Sequence, residues 1–226
     1  MSKPTRIAAV TFDVGGTLIE PWPSVGHVYA EAAARHGLAG ISPEVLNARF
    51  KAAWHAAAGF DYTRKSWENL VNRTFDELAP RDVQQAFFPE IYDRFAQETV
   101  WRIFDDVQPT LDTLASRGLR LAVISNWDER LRGLLRRLNL DQFETFAISC
   151  EVGFPKPSPV IFNHAARELD LRPDAILHVG DSLELDVEGA HAAGFRAVHL
   201  QRGKQADAVG SAIRSLAELP ERIDAD

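Results

Sequence analysis

Three short apolar runs, Ile7 to Phe12, Leu119 to Ile124 and Ala175 to Val179, each give way abruptly to polar residues or glycine. Buried parallel strands end in this way, because both faces are covered and the chain turns polar only where it leaves the sheet. Thr145 to Ser149 and Arg196 to Leu200 are weaker strand candidates, and helix-length segments lie at Glu129 to Leu138, Ser158 to Leu169 and Leu185 to Ala193. Strand–helix alternation predicts an α/β fold with a parallel sheet covered on both faces. From about Trp22 to Ala96 the alternation stops. Apolar residues recur there every three or four positions: Leu46, Phe50, Trp54, Ala57; then Trp67, Leu70, Val71, Thr74, Phe75, Leu78; then Val83, Phe87, Ile91, Phe95. These stripes predict consecutive helices packed through one face, an inserted helical domain. Ser42 before Pro43 reads as a helix start, and Gly37, Gly118 and Gly194 read as helix stops.

Composition narrows the function classes. The 226 residues are 46% hydrophobic and 25% charged, as in an ordinary globular protein. A net charge of −7 offers no broad attraction to a nucleic-acid backbone or an anionic membrane, so no nucleic-acid or membrane partner is expected. No segment approaches the roughly 18 apolar residues of a membrane span, and the apolar run after Met1 to Arg6 is too short for a signal-peptide core and is interrupted by Asp13. A single cysteine, Cys150, cannot form an intrachain disulfide and fits a reducing compartment, so a cytoplasmic location is expected, with Cys150 read as a small buried hydrophobe.

Three strand ends carry the side chains with chemistry: Asp13, then Ser125 and Asn126, then Asp181 after Gly180. Ligands of open parallel sheets bind at the carboxyl ends of the strands. Asp13 leads into Gly15-Gly16-Thr17, where paired glycines allow a sharp turn that points N–H groups at an anion, with Gly16 as a substrate-binding position. A carboxylate beside such donors suits covalent phosphoryl transfer. Asp13 and Asp181 together would repel a phosphate unless a cation neutralised them, and hard oxygen ligands point to Mg²⁺. Lys156, between Pro155 and Pro157, is placed to face the negative charge, and Ser125 and Asn126 supply neutral donors for phosphoryl oxygens.

With these residues, the chain resembles the haloacid dehalogenase-like superfamily, in Phe12-Asp13-Val14-Gly15-Gly16-Thr17-Leu18, Ile124-Ser125-Asn126, Lys156-Pro157 and Gly180-Asp181-Ser182-Leu183-Glu184-Leu185-Asp186. Within it the chain is similar to the haloacid dehalogenase-like hydrolase domain-containing proteins. The resemblance implies a Rossmann-like core of residues 1–20 and 101–226 and a helical cap of residues 21–100. It implies Asp13 as nucleophile and metal ligand, Gly15 as a metal ligand through its carbonyl, and Asp181 as the remaining protein ligand. Ser125, Asn126 and Lys156 would hold phosphate, Lys156 would also restrain Asp13, and Asp186 would orient Lys156 or a metal-bound water.

One departure matters. Phosphatases of the family usually carry a second aspartate two positions after the nucleophile, as acid and then base; here that position is Gly15. Loss of such a group typically slows a reaction by about 10²–10⁴-fold. The leading expectation is a Mg²⁺-dependent phosphatase of a small phosphorylated metabolite, with His27, Tyr29 and His55 as conceivable substitute donors. A metal-independent dehalogenase needs no leaving-group acid, but the resembling enzymes lack the counterpart of Asp181. A phosphonate-cleaving enzyme would need a lysine such as Lys51 or Lys65, both better read as solvated helix residues. A phosphate-binding regulatory protein without turnover is the third possibility. Substrate identity and oligomeric state are not encoded legibly; Trp22, Tyr29, Trp54 and Trp67 read as packing residues before pocket residues.

Overall fold

The computed structural model describes residues 5–57, 59–203 and 212–225. Its strands are β1 (Ala9–Phe12), β2 (Ile19–Pro21), β3 (Trp101–Ile103), β4 (Arg120–Ser125), β5 (Thr145–Ile148), β6 (Ile176–Gly180) and β7 (Arg196–His199). Five of them form one sheet in the order β5-β4-β1-β6-β7, and every pairing is parallel. This is the Rossmann-like α/β arrangement expected from the alternation of strands and helices. β1 lies at the centre, between β4 and β6, and all four of its residues are buried. The helix Pro159–Glu168 covers one face, burying Ile161, Phe162 and Ala165 against Ala9, Ala122 and Ile124.

Sheet order also determines where a ligand can bind. After β1 the chain builds β4 and β5 on one side, then crosses to lay down β6 and β7 on the other. The direction of winding reverses between β1 and β6, and such a switch point opens a crevice beyond the strand ends. Asp13, immediately after β1, is tied there by its N–H donating to the Val179 carbonyl of β6 at 2.9 Å.

The chain divides into two compact units, one of residues 1–19, 103–129 and 140–226, the other of residues 20–102 and 130–139. The second is helical: α1 (Val25–Arg35), α2 (Pro43–His55), α3 (Arg64–Thr74) and α4 (Arg81–Arg94). Ser24, Ser42 and Thr63 cap the first three by accepting from the N–H groups of His27, Val45 and Ser66, and Pro43 takes the first helical position of α2. The periodic stripes become its core, with Leu46, Leu70, Val71, Phe75, Phe87 and Ile91 buried. Trp54 is different: it remains 36% exposed and stacks on Phe50 and Trp67. Ala57 lies beyond the end of α2.

Three features depart from the sequence expectation. The helix Leu131–Arg137, which reads as part of the sheet-bearing region, groups with the helical unit. Arg130 stacks on Tyr92 at 3.6 Å and donates to its carbonyl, while Arg137 donates to the Ala96 carbonyl. β2 and β3 pair as a two-stranded ribbon that the hydrophobic pattern does not show. The segment expected as a helix from Leu185 to Ala193 opens with a π-helical turn over Leu183–Glu188, followed by a short α-helix, Gly189–Ala192. Among the described residues no helix is long and apolar enough to cross a membrane.

Candidate active site

Lys156 is the hub of the site. Its ammonium donates to Asp13 Oδ1 at 2.7 Å and to Asp186 Oδ1 at 2.5 Å, and all three side chains are buried. Ser125, at the end of β4, donates to the same Asp13 Oδ1 at 3.0 Å. Two donors on one oxygen fix the plane of the carboxylate. Among the described residues no side chain donates to Oδ2.

The Lys156 loop is anchored from β4. Asn126 accepts the Lys156 backbone N–H at 2.7 Å and donates its carboxamide N–H to the Lys156 carbonyl at 3.0 Å. Asn126, expected to hold phosphate, thus directs its carboxamide to the backbone of Lys156, because a loop that must present a buried ammonium needs its own polar backbone satisfied. Gly16 departs similarly. Its N–H donates to the Ile19 carbonyl at 2.8 Å inside the turn, so this amide does not face an anion. Glycine is required there for other reasons: φ is +79°, and an added Cβ would stand 2.5 Å from Asp181 Oδ2.

Asp186 is held on both oxygens. Oδ1 meets Lys156 and His178 Nε2 (3.2 Å), and Oδ2 accepts the Ser182 N–H at 2.9 Å. The π-helical turn makes this possible, since the N–H groups of Asp186 and Val187 both return to the Ser182 carbonyl and swing Asp186 back toward the sheet. Gly180 leaves room, because a Cβ there would lie 2.1 Å from Asp186 Cγ. These contacts place Asp186 as the partner that orients Lys156. His178, fully buried in β6 and paired on its other nitrogen with Thr11 Oγ at 2.9 Å, completes the chain of contacts; it reads in the sequence as one polar residue within an apolar strand.

Electrostatics follow from this crowding. Burial lowers an ammonium's pKa, but Asp13 and Asp186 outweigh it and hold Lys156 above its ordinary value. Burial opposes ionisation of Asp186, yet Lys156 and His178 hold it below the carboxylate range. Burial raises Asp13 against the pull of Lys156, and lowers His178 so that its imidazole stays neutral. Asp181, at the mouth of the site, is pushed up to about 7, first by desolvation and then by the charges of Asp13 and Asp186. With these carboxylates ionised, Asp13, Asp181, Asp186 and Lys156 carry formal charges of −3 and +1, a net −2. Oxygens of the three carboxylates lie within 4.8 Å of one another. Hard oxygen donors crowded this closely, with more carboxylates than cationic side chains among them, fit a divalent cation such as Mg²⁺.

Gly15 lies beyond Asp13 with Trp127 against it: an added Cβ would be 3.3 Å from the indole Cζ3. The other candidates belong to the helical unit. His27 pairs with Ser24 at 2.8 Å, Tyr29 is buried among Phe50, Phe75 and Phe95, and His55 is exposed. Lys51 is exposed and Lys65 pairs with Glu68, as solvated helix residues do. Trp22 is exposed and stacks on Arg102. Cys150 is exposed, contrary to its reading as a buried residue, because Ser149 takes the inward position at the end of β5.

Known proteins resemble this chain over most of its length. A family model described as haloacid dehalogenase-like hydrolase matches residues 7–194. The chain is 34% identical over 207 residues to haloacid dehalogenase-like hydrolase domain-containing protein 3 of Homo sapiens, covering 86% of this chain and 82% of that protein. Among solved structures, a HAD phosphatase from Thermococcus onnurineus has a TM-score of 0.68 at 25% identity, covering 96% of this chain and 98% of that one. A 2-haloacid dehalogenase from Pseudomonas syringae pv. Tomato DC3000 has a TM-score of 0.64 at 28% identity, covering 97% and 98%.

Proposed function

This chain belongs to the haloacid dehalogenase-like hydrolases, and from that premise we propose that it is a Mg²⁺-dependent phosphatase of a small phosphorylated metabolite, acting through an aspartyl-phosphate on Asp13. The observation that carries the proposal is Asp13, held by Lys156 and Ser125 inside a cluster of three carboxylates. A 2-haloacid is itself an anion, and a cluster in which three carboxylates face one ammonium disfavours it. A phosphate ester brought in with a divalent cation suits the same cluster, which favours phosphoryl transfer over metal-free dehalogenation.

Asp13, Asp181 and the Gly15 carbonyl are assigned to the cation, which supplies charge neutralisation for the phosphoryl oxygens. The chain's own groups do the rest. Lys156 and Ser125 hold Asp13 Oδ1 and with it the plane of the carboxylate, so the other oxygen, Oδ2, meets phosphorus from a fixed position and loses little freedom on reaction. The Lys156 ammonium, kept charged by its two carboxylates, stabilises negative charge on the transferred group. Asp186 and His178 keep that ammonium in place. The helical unit is assigned the role of the family's cap, its side chains setting substrate choice.

The test is steady-state turnover of an activated aryl phosphate by purified protein, with Mg²⁺ and with chelator, beside Asp13→Asn. Turnover that needs both Mg²⁺ and Asp13 supports the proposal. Equal inactivity of both proteins, with phosphate still bound, would instead make the chain a phosphate-binding protein.

A further inference from the structure

Gly15 and Gly16 are adjacent, yet they are glycine for different reasons. Gly16 has a left-handed backbone and faces Asp181. Gly15 is not among the residues of positive φ, so its backbone accepts a side chain. What opposes one is the indole of Trp127, whose Cζ3 and Cη2 would lie 3.3 Å and 4.0 Å from a Cβ at that position. Trp127 is also held in place. Its backbone N–H donates to the buried Ser149 hydroxyl at 3.0 Å, and its backbone carbonyl accepts from the same hydroxyl at 3.0 Å and from the Cys150 N–H at 3.2 Å, which fixes the main chain from which the ring projects. Gly15 follows Asp13 by two residues and Trp127 follows Ser125 by two, in the segments that leave the carboxyl ends of the adjacent strands β1 and β4. The ring therefore covers the backbone beside the carboxylate that Ser125 orients.

The geometry points to Trp127 as a specificity-determining residue: its indole fills the acid–base position beside Asp13, confining the chain to phosphoryl donors whose leaving oxygen departs unprotonated, such as aryl and acyl phosphates. This rests on the phosphatase reading. An indole N–H is a donor that neither releases nor accepts a proton at ordinary pH, so the ring does no acid–base work. In the first step a bond forms between an Asp13 carboxylate oxygen and phosphorus while the bond from phosphorus to the leaving oxygen breaks. The electron pair goes with that oxygen, which leaves as phenolate or carboxylate and takes no proton from the protein. Water then bonds to phosphorus, the aspartyl oxygen–phosphorus bond breaks with its pair returning to Asp13, and the protons of the water pass to the released phosphate or to solvent. Alkyl phosphates, whose leaving oxygen is strongly basic, fail at the first step.

The experiment compares wild type, Gly15→Asp, Trp127→Ala and the double variant, reading kcat/KM with Mg²⁺ across aryl and alkyl phosphates together with thermal unfolding. Wild type should show a steep loss of kcat/KM as the leaving group becomes more basic. Gly15→Asp alone should unfold at lower temperature and keep the steep loss. The double variant should recover stability relative to that single variant and gain about 10²-fold or more on alkyl phosphates, as a positioned general acid provides. An equal gain in Gly15→Asp alone, or a folded double variant with the wild-type dependence, overturns the assignment. If Gly15→Asp does not fold, folding of the double variant supports it, and failure of the double beside a folded Trp127→Ala contradicts it. Absence of Asp13-dependent turnover on any ester removes the phosphatase reading and the leaving-group selection with it. Turnover with the same leaving-group dependence in every folded variant removes only the role of Trp127.

Discussion

Lys156 shows most directly how single residues carry this site. Replacing it with methionine leaves Asp13 and Asp186 buried without their shared cation. Breaking a buried pair from one side typically costs about 3–5 kcal/mol, so urea unfolding of Lys156→Met should show a loss of that order together with loss of turnover. Asp181 behaves in the opposite sense. Its pKa rises from 3.8 in the unfolded chain to about 7 in the folded one. Between these values the folded protein holds a proton that the unfolded chain has released, so this group's contribution to stability falls as pH rises toward 7. Metal-free Asp181→Asn should therefore gain thermal stability over wild type at pH 8 and much less at pH 5. The same variant should lose the stabilisation by Mg²⁺, which in wild type should be larger at pH 8, where the carboxylate is free of its proton. Asp13, Ser125, Lys156 and Asp181 are legible in the sequence because each follows an apolar strand or sits in a proline-flanked loop. His178 is not, since a polar residue in the middle of an apolar run looks the same whether it is merely satisfied or positions Asp186. The contact of Trp127 with Gly15 joins residues 112 positions apart, and no local pattern reports it.

At the scale of elements, strand ends and loops act as brackets. Asn126 clamps the Lys156 loop through two backbone hydrogen bonds. Asn126→Ala should cost about 1–3 kcal/mol for the buried groups left unpaired, and should lower kcat more than it raises KM, because it loosens Lys156. Steady-state kinetics beside urea unfolding checks both parts. The order of strands and helices was readable from apolar runs, and so were the caps at Ser42 and the stops at Gly37, Gly118 and Gly194, where φ is positive in each case. The π-helical turn was not, because its register is imposed by Asp186 reaching Lys156 and His178 rather than by apolar spacing. The ribbon of β2 and β3 was hidden for a simpler reason: strands of three residues are too short to display a period of two.

For the molecule as a whole, the division into two units has a measurable consequence. Phe75 is fully buried in the helical unit, in contact with Tyr29 and Phe87. Phe75→Ala should destabilise that unit by about 3–5 kcal/mol, and faster amide hydrogen exchange should appear in residues 20–102 and also in 130–139. Exchange in 130–139 that instead follows the sheet would contradict the grouping of the helix Leu131–Arg137 with α1–α4. That grouping escapes the sequence because the helix lies between two strands of the sheet, whereas Arg130 and Arg137 reach Tyr92 and Ala96 of the helical unit.

The central claim is a phosphoryl group carried on Asp13. Rapid acid quench of a single turnover, with an aryl phosphate labelled in its phosphoryl group and Mg²⁺ present, followed by peptide mapping, tests it most directly. Label on the peptide containing Asp13, rising and decaying during the turnover and missing in Asp13→Asn, is the predicted result. Product release with no label on the protein at any time, or label on another residue, would contradict it.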